Sequence, residues 1–186
     1  MLSSPATTAS TASTAPPRPA ALTALLCTTA AAALSAVAAA VLVFTGGSAL
    51  AAENVRSVFD ELAPELGLAG MEAADVEALS GSLWQEVVDA RASSLSARAG
   101  IAVCLALWLV VSAVFARAAA TWARVLITIG GVLLVLLHLL VVADYPPGAV
   151  GPLGWVAVAT GLATVVLCWS PAGNRYARAV KSARLP

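Results

Sequence analysis

Four stretches of this chain run uncharged, or nearly so, for long enough to cross a lipid bilayer. Residues 20–44 hold 25 residues without a charge and residues 99–116 hold 18. Residues 122–143 carry only Arg124, near their start, and residues 150–169 carry no charge. At 1.5 Å of rise per residue, about 20 helical residues span the roughly 30 Å hydrocarbon core. The third run is the strongest, with 14 Leu, Ile and Val between Val125 and Val142. At about −0.3 to −0.6 kcal/mol each, these sum to roughly −4 to −8 kcal/mol of insertion free energy. The first run is the weakest, because 11 of its 25 residues are Ala. Composition agrees: 60% of the 186 residues are hydrophobic and only 11% are charged. A soluble domain carries about 25% charged residues, so a soluble globule and a disordered chain are both excluded.

The remaining segments are polar. Residues 1–19 are mostly Ser, Thr, Ala and Pro without periodicity, and read as a disordered tail. Residues 45–98 are the one sizeable polar section. Within it Val55, Val58, Phe59 and Leu62 recur at helical spacing, Pro64 and Gly67 interrupt, and Val76, Leu79, Leu83 and Val87 repeat the pattern. Two amphipathic helices are expected, the second over 73–93, packing on each other or on the membrane-embedded helices. Residues 117–121 form a short loop. The turn at 144–149 contains Tyr145-Pro146-Pro147-Gly148, which cannot continue a helix. Residues 170–186 are a basic tail. The expected fold is all-α: a four-helix transmembrane bundle with a small extracytoplasmic helical cap between helices 1 and 2.

Charge location sets orientation. The two tails and the loop near 117–124 carry Arg18, Arg117, Arg124, Arg175, Arg178, Lys181 and Arg184 and no acid. The 45–98 section and the 144–149 turn carry all ten acids against Arg56, Arg91 and Arg98. Lys and Arg in short loops stay cytoplasmic, so both termini are expected inside and the acidic section outside. Arg18, the first apolar run and Ala49-Leu50-Ala51 also match the parts of a cleavable signal peptide. A signal's apolar region is about 7–15 residues, however, and this run is 25, so a retained anchor is the preferred reading. Nine of the ten basic residues are Arg, Ala occurs 44 times and Ile three; this bias toward GC-rich codons points to a high-GC bacterial source.

Candidate sites are few. His138 is the only His and sits inside the third run; an ionisable group at membrane depth is a functional candidate by default. Thr28, Thr29 and Ser35 are its possible companions on the first helix, and a polar track joining them to His138 would mark a transport path. The bland alternative is a neutral His bonded within the bundle, and it is favoured. No Asp or Glu lies within the runs, which argues against proton- or cation-coupled transport. Ala36 and Ala40, Gly100 and Cys104, and Ala157 and Gly161 are small pairs one turn apart, suited to close helix packing, here most simply within the bundle. Gly130-Gly131 permits a kink or a close crossing. The three Cys lie in apolar runs without metal or redox spacing. The acidic section matches no calcium loop, and Trp84 is expected to pack beneath the outer helices. Arg175, Arg178, Lys181 and Arg184 form a basic stripe near the cytoplasmic leaflet and are candidate anionic-lipid contacts. No hydrolase triad, phosphate-binding Gly loop, zinc-protease motif or nucleic-acid module is present. A non-enzyme without cofactor or metal is expected, with the bilayer as partner and another membrane or envelope protein contacting residues 52–97.

The chain resembles the uncharacterised small four-span integral membrane proteins of actinobacteria. The resemblance rests on the Ser/Thr/Ala/Pro leader, the stretch Leu83-Trp84-Gln85-Glu86-Val87-Val88-Asp89-Ala90-Arg91, the start of the third run at Trp122-Ala123-Arg124-Val125-Leu126, and Pro171-Ala172-Gly173-Asn174-Arg175-Tyr176 after the fourth. It covers most of residues 20–180 and implies no activity and no site residue. The loop layout also looks like that of claudin-type tetraspans, but their outer-loop Cys pair and Trp-Gly-Leu-Trp-Cys pattern are missing, so no role follows. The function expected is that of an accessory, scaffold or sensor subunit of a bacterial cell envelope; the alternative is a small transporter or channel with a path near His138.

Overall fold

A computed structural model describes residues 20–68, 70–116, 121–171, 174, 175, 178 and 182. The leader 1–19, most of the 117–121 loop, and Tyr176, Lys181 and Arg184 lie outside the described residues. Five helices follow one another: α1 (Ala20–Leu62), α2 (Ala73–Ser80), α3 (Ser82–Ala116), α4 (Thr121–Ala143) and α5 (Val150–Cys168). Helices α1, α3, α4 and α5 are each long and apolar enough to span a membrane. Without water to bond it, backbone in hydrocarbon must satisfy its polar groups within its own helix, and these four segments do so. The chain is a multi-span membrane protein with an all-α four-helix bundle and a short extra helix between the first two spans.

The bundle is a ring. Helix α1 packs on α3 and α5, and α4 packs on α5 and α3. Alanine explains the closest seam. Ala32, Ala36, Ala39 and Ala40 of α1 are buried, as are Ala99, Ala102, Ala106 and Ala113 of α3. These positions share one face of each helix, so one methyl-lined stripe of each helix faces the interior. Between lipid-exposed helices there is no hydrophobic gain from association, and short side chains instead bring backbones close enough for dispersion to act. Leu109, Ile127 and Leu134 fill the interior beside these alanines, while many other large side chains, among them Leu34, Leu107, Leu136, Leu140 and Val166, are exposed, as suits contact with acyl chains.

Helices α4 and α5 cross through glycine. A Cβ on Gly161 would lie 2.8 Å from Val135 Cγ2, and one on Gly154 would lie 2.9 Å from Val142 Cγ2. A Cβ on Gly131 would lie 3.0 Å from Val165 Cγ2. Two of the three small pairs, Ala36/Ala40 and Ala157/Gly161, therefore serve internal packing. The third does not: Cys104 is exposed, and a Cβ on Gly100 would meet nothing within 4 Å.

Two breaks shape the cap, and one of them departs from its sequence reading. The first apolar run, residues 20–44, is followed by a kink inside α1. Helix α1 breaks its geometry at Gly47 alone (φ 50°, ψ −136°) and resumes to Leu62; a glycine adopts this left-handed φ without the Cβ clash other residues meet. The second amphipathic helix is not one piece over 73–93. Gly81 (φ 52°) ends α2, and the rest joins α3 and runs on into the second span. That break shifts the buried face by one position. Trp84, Val88 and Leu95 are buried, whereas Leu79, Leu83 and Val87 are exposed. The partner face on α1 is placed as expected, with Val55 and Phe59 packed against the cap core beside Val76.

Replacing Gly161 with Leu drives side-chain atoms into Val135 and is expected to destabilise the bundle by about 1–3 kcal/mol, the usual cost of overpacking. Gly100→Leu, at an open position, is expected to leave the melting temperature in detergent nearly unchanged. Equal effects of the two would show that α4 and α5 do not cross at Gly161.

Candidate functional site: a cap groove above an ion-pair node

The four polar residues singled out in the bundle, Thr28, Thr29, Ser35 and His138, bond within their own helices. Thr28 Oγ1 donates to the carbonyls of Ala24 and Leu25, both at 3.0 Å. Thr29 Oγ1 donates to Leu25 at 2.7 Å, and Ser35 Oγ to Ala32 at 3.0 Å. A hydroxyl has one proton to give, so none of these donates across the bundle. His138 is buried on α4, with Nδ1 2.9 Å from the Leu134 carbonyl. As a carbonyl only accepts, this contact places the proton on Nδ1. His138 lines a cavity of about 30 Å³ with Ala36, Ala40, Leu95, Arg98 and Val150. That is room for about one water molecule. Thr28, Thr29 and Ser35 do not line it. The structure thus places all four residues in the bundle without joining them, and it brings Arg98, which sequence reading counted only as a loop charge, to the same cavity as His138.

At the cap end of the spans three segments meet at one polar node centred on Asp144. Arg91 and Arg98 lie seven residues apart on α3, two turns along one face. Arg91 donates through one terminal nitrogen to Asp144 Oδ2 at 2.6 Å, and through the other to the carbonyls of Asp144 at 2.6 Å and Tyr145 at 3.1 Å. Its Nε donates to Asn54 Oδ1 at 2.8 Å. Arg98 donates to the same Asp144 oxygen. Asn54, buried on α1, closes the ring by donating to the Tyr145 carbonyl at 2.9 Å. Tyr145 stands at φ 44°, where a side chain is strained; its carbonyl accepts from both Asn54 and Arg91, and these bonds hold the turn. The node ties α1, α3 and the α4–α5 turn together.

Burial pushes the Asp144 carboxyl upward, but hydrogen bonds from Arg98 and Arg91, and the charge of both, outweigh it and hold the group below the usual carboxylate value. Sequence reading used these three residues only for orientation. The signal for more was the seven-residue spacing of Arg91 and Arg98 and the lone acid directly after the third span.

Above the node the cap leaves an open groove of about 630 Å³. One wall is Val55, Val58, Phe59 and Leu62 of α1, the opposite wall Leu83, Trp84 and Val87 of α3, and Val76 of α2 adds a third side. Arg91, Asp144 and Tyr145 line it as well. The α2 arm is fixed by an Arg56–Glu77 ion pair at 2.8 Å and by Asp60 Oδ1, which accepts the Ala73 N–H at 3.1 Å. Trp84 is buried as expected, yet its Nε1 finds no acceptor among the described residues. The volume falls within the roughly 300–1,000 Å³ of small-molecule sites, which are likewise mostly apolar with a few placed polar groups. Nothing in the sequence pattern announced the groove, because it depends on the breaks at Gly47 and Gly81.

Arg175 and Arg178 are exposed beyond α5. Arg124, at the same end of the bundle, donates to Asn174 Oδ1 at 2.7 Å. Among the described residues no group of three His, Cys, Asp or Glu could hold a metal ion. No family model, no curated protein and no solved structure matches the chain.

Asp144→Asn leaves two guanidiniums short of their shared charge and is expected to cost about 1–3 kcal/mol at neutral pH. A carboxyl depressed in the folded state contributes stability above its unfolded value of about 4, and loses it as pH falls through the folded value. Wild-type melting temperature in detergent should therefore drop on acidification below about pH 4. The variant should start lower and drop less. Parallel curves would exclude the node as a source of acid sensitivity.

Proposed function

We propose that this chain is a non-enzymatic accessory or sensor subunit of a bacterial cytoplasmic membrane, and that its working part is the cap. The observation that carries the reading is the contrast in open space. The bundle around His138 has about 30 Å³, with the first-helix hydroxyls bonded to their own backbone. The cap holds about 630 Å³. A conducting or transporting bundle needs a polar path at membrane depth; a recognition subunit needs a concave, mostly apolar site. Both termini lie in the cytosol in this reading, because every basic tail and loop is on one side and every acid on the other. The cap then faces out, where a ligand or an envelope protein reaches residues 52–97. The resemblance to small four-span actinobacterial proteins supports a bacterial membrane as its place.

Purified protein in liposomes is the direct test. No proton or potassium flux above that of protein-free vesicles is expected. Flux that disappears in His138→Leu, with folding retained, would overturn the reading in favour of transport. Sidedness is tested separately by reporters. A phosphatase inserted after Ser80 should be active outside, and a fluorescent protein fused after Pro186 should light up in the cytosol; the reverse pattern would overturn the orientation.

A further inference from the structure

We infer that the cap groove binds a single-chain anionic amphiphile of the lysophospholipid kind, with its phosphate at Arg91 and its chain between the α1 and α3 walls. The inference deepens the recognition reading above and rests on it.

Three observations select this chemistry. The first is position. The groove begins at Asp144 and Tyr145, the residues directly after the third span, and continues upward between α1 and α3. Its lower end therefore lies at headgroup level, within reach of a lipid. Its walls are apolar, yet Leu66, Leu83 and Val87 are 66%, 62% and 53% exposed. An apolar surface of this kind outside the spans marks a binding site.

The second is charge. The groove's charged lining is Arg91 and Asp144, and Arg98 shares that same carboxylate. Two guanidiniums thus face one acid, an excess of one positive charge. None of the other nine carboxylates of the cap lines the groove. Arg91 uses four of its five N–H donors on the protein. One donor is left for a phosphate oxygen, the partner that a guanidinium fork suits best.

The third is the Trp84 Nε1 proton. Trp84 is 6% exposed, forms part of the groove wall, and has no acceptor among the described residues. An unmade hydrogen bond on a buried donor is costly. Trp84 precedes Arg91 by seven residues, so it stands about 10 Å further from the membrane along α3. A ligand that meets both demands carries an oxygen acceptor some way along from its anionic head. A lysophospholipid has this pattern, with an acyl ester beyond its phosphate, and a simple fatty acid does not. A single chain fits a groove of about 630 Å³.

The test uses the full chain in phosphatidylcholine nanodiscs, with bound lipid counted by native mass spectrometry after titration with oleoyl lysophosphatidic acid. Saturable binding of one molecule is expected. Leu83→Glu/Val87→Glu, which adds two like charges at exposed wall positions, should weaken it ten-fold or more while the melting temperature holds. Trp84→Phe keeps the ring and removes the donor; it should weaken binding about five-fold, the equivalent of one hydrogen bond. Oleate and zwitterionic oleoyl lysophosphatidylcholine should bind more weakly, and glycerol phosphate, which has the head without the chain, should not bind. Unsaturable uptake, or uptake unchanged in the double variant, would overturn the site. Equal binding of the zwitterionic lipid would overturn the anionic head, and binding of glycerol phosphate would overturn the amphiphile. These failures remove the ligand assignment alone; the recognition reading falls only to flux that depends on His138.

Discussion

A backbone in hydrocarbon has no water to bond with, so each segment that crosses must close its own hydrogen bonds as a helix. Helices surrounded by acyl chains then gain nothing hydrophobic by meeting. They are held by close contact instead. This chain meets that condition with methyl groups and hydrogens. Alanine lines the facing stripes of α1 and α3, and glycine lets α4 and α5 cross. The same substitution that weakens the first run's drive to insert makes it the better packing partner. An alanine-rich span is thus poor by hydropathy and good by geometry.

Close packing leaves the bundle little internal freedom, and the polar groups within it reflect that. Thr28, Thr29 and Ser35 fold back on preceding carbonyls, and His138 does the same on Leu134. Charged groups are gathered at the cap end, where Asp144 receives two arginines and the Tyr145 carbonyl receives Asn54 and Arg91. Pairs at such a boundary sit between water and lipid, where they are screened less than in solution. The strained turn at Tyr145 persists because these bonds outweigh its backbone cost. Through that node the height of α3 is fixed relative to α1 and to the turn, and with it the lower end of the groove.

The cap shows where periodicity stops being informative. The stripe Val76, Leu79, Leu83, Val87 continues helical spacing across Gly81, and nothing in the spacing reveals that the helix breaks there. With the break, Trp84 and Val88 turn inward, and Leu83 and Val87 are left on the open wall. The Arg91–Asp144–Arg98 node was half visible. Two arginines seven apart share a helix face whatever the fold, but their acid comes from 53 and 46 residues away along the chain. His138 was visible as an oddity of composition, whereas its separation from the first-helix hydroxyls was not.

Charge-free length and charge placement are local properties, and they determined by themselves that this chain crosses a membrane four times as helices, with a polar section after the first crossing. Burying an uncharged run of 18 to 25 residues in lipid has one backbone solution, so no long-range information is needed. The ring order of the helices, the partner of Asp144 and the cavity above it were decided only by tertiary structure. Each depends on which residues distant in sequence come within hydrogen-bond or van der Waals reach, and on two glycines whose left-handed backbone redirects the chain without altering its hydrophobic pattern.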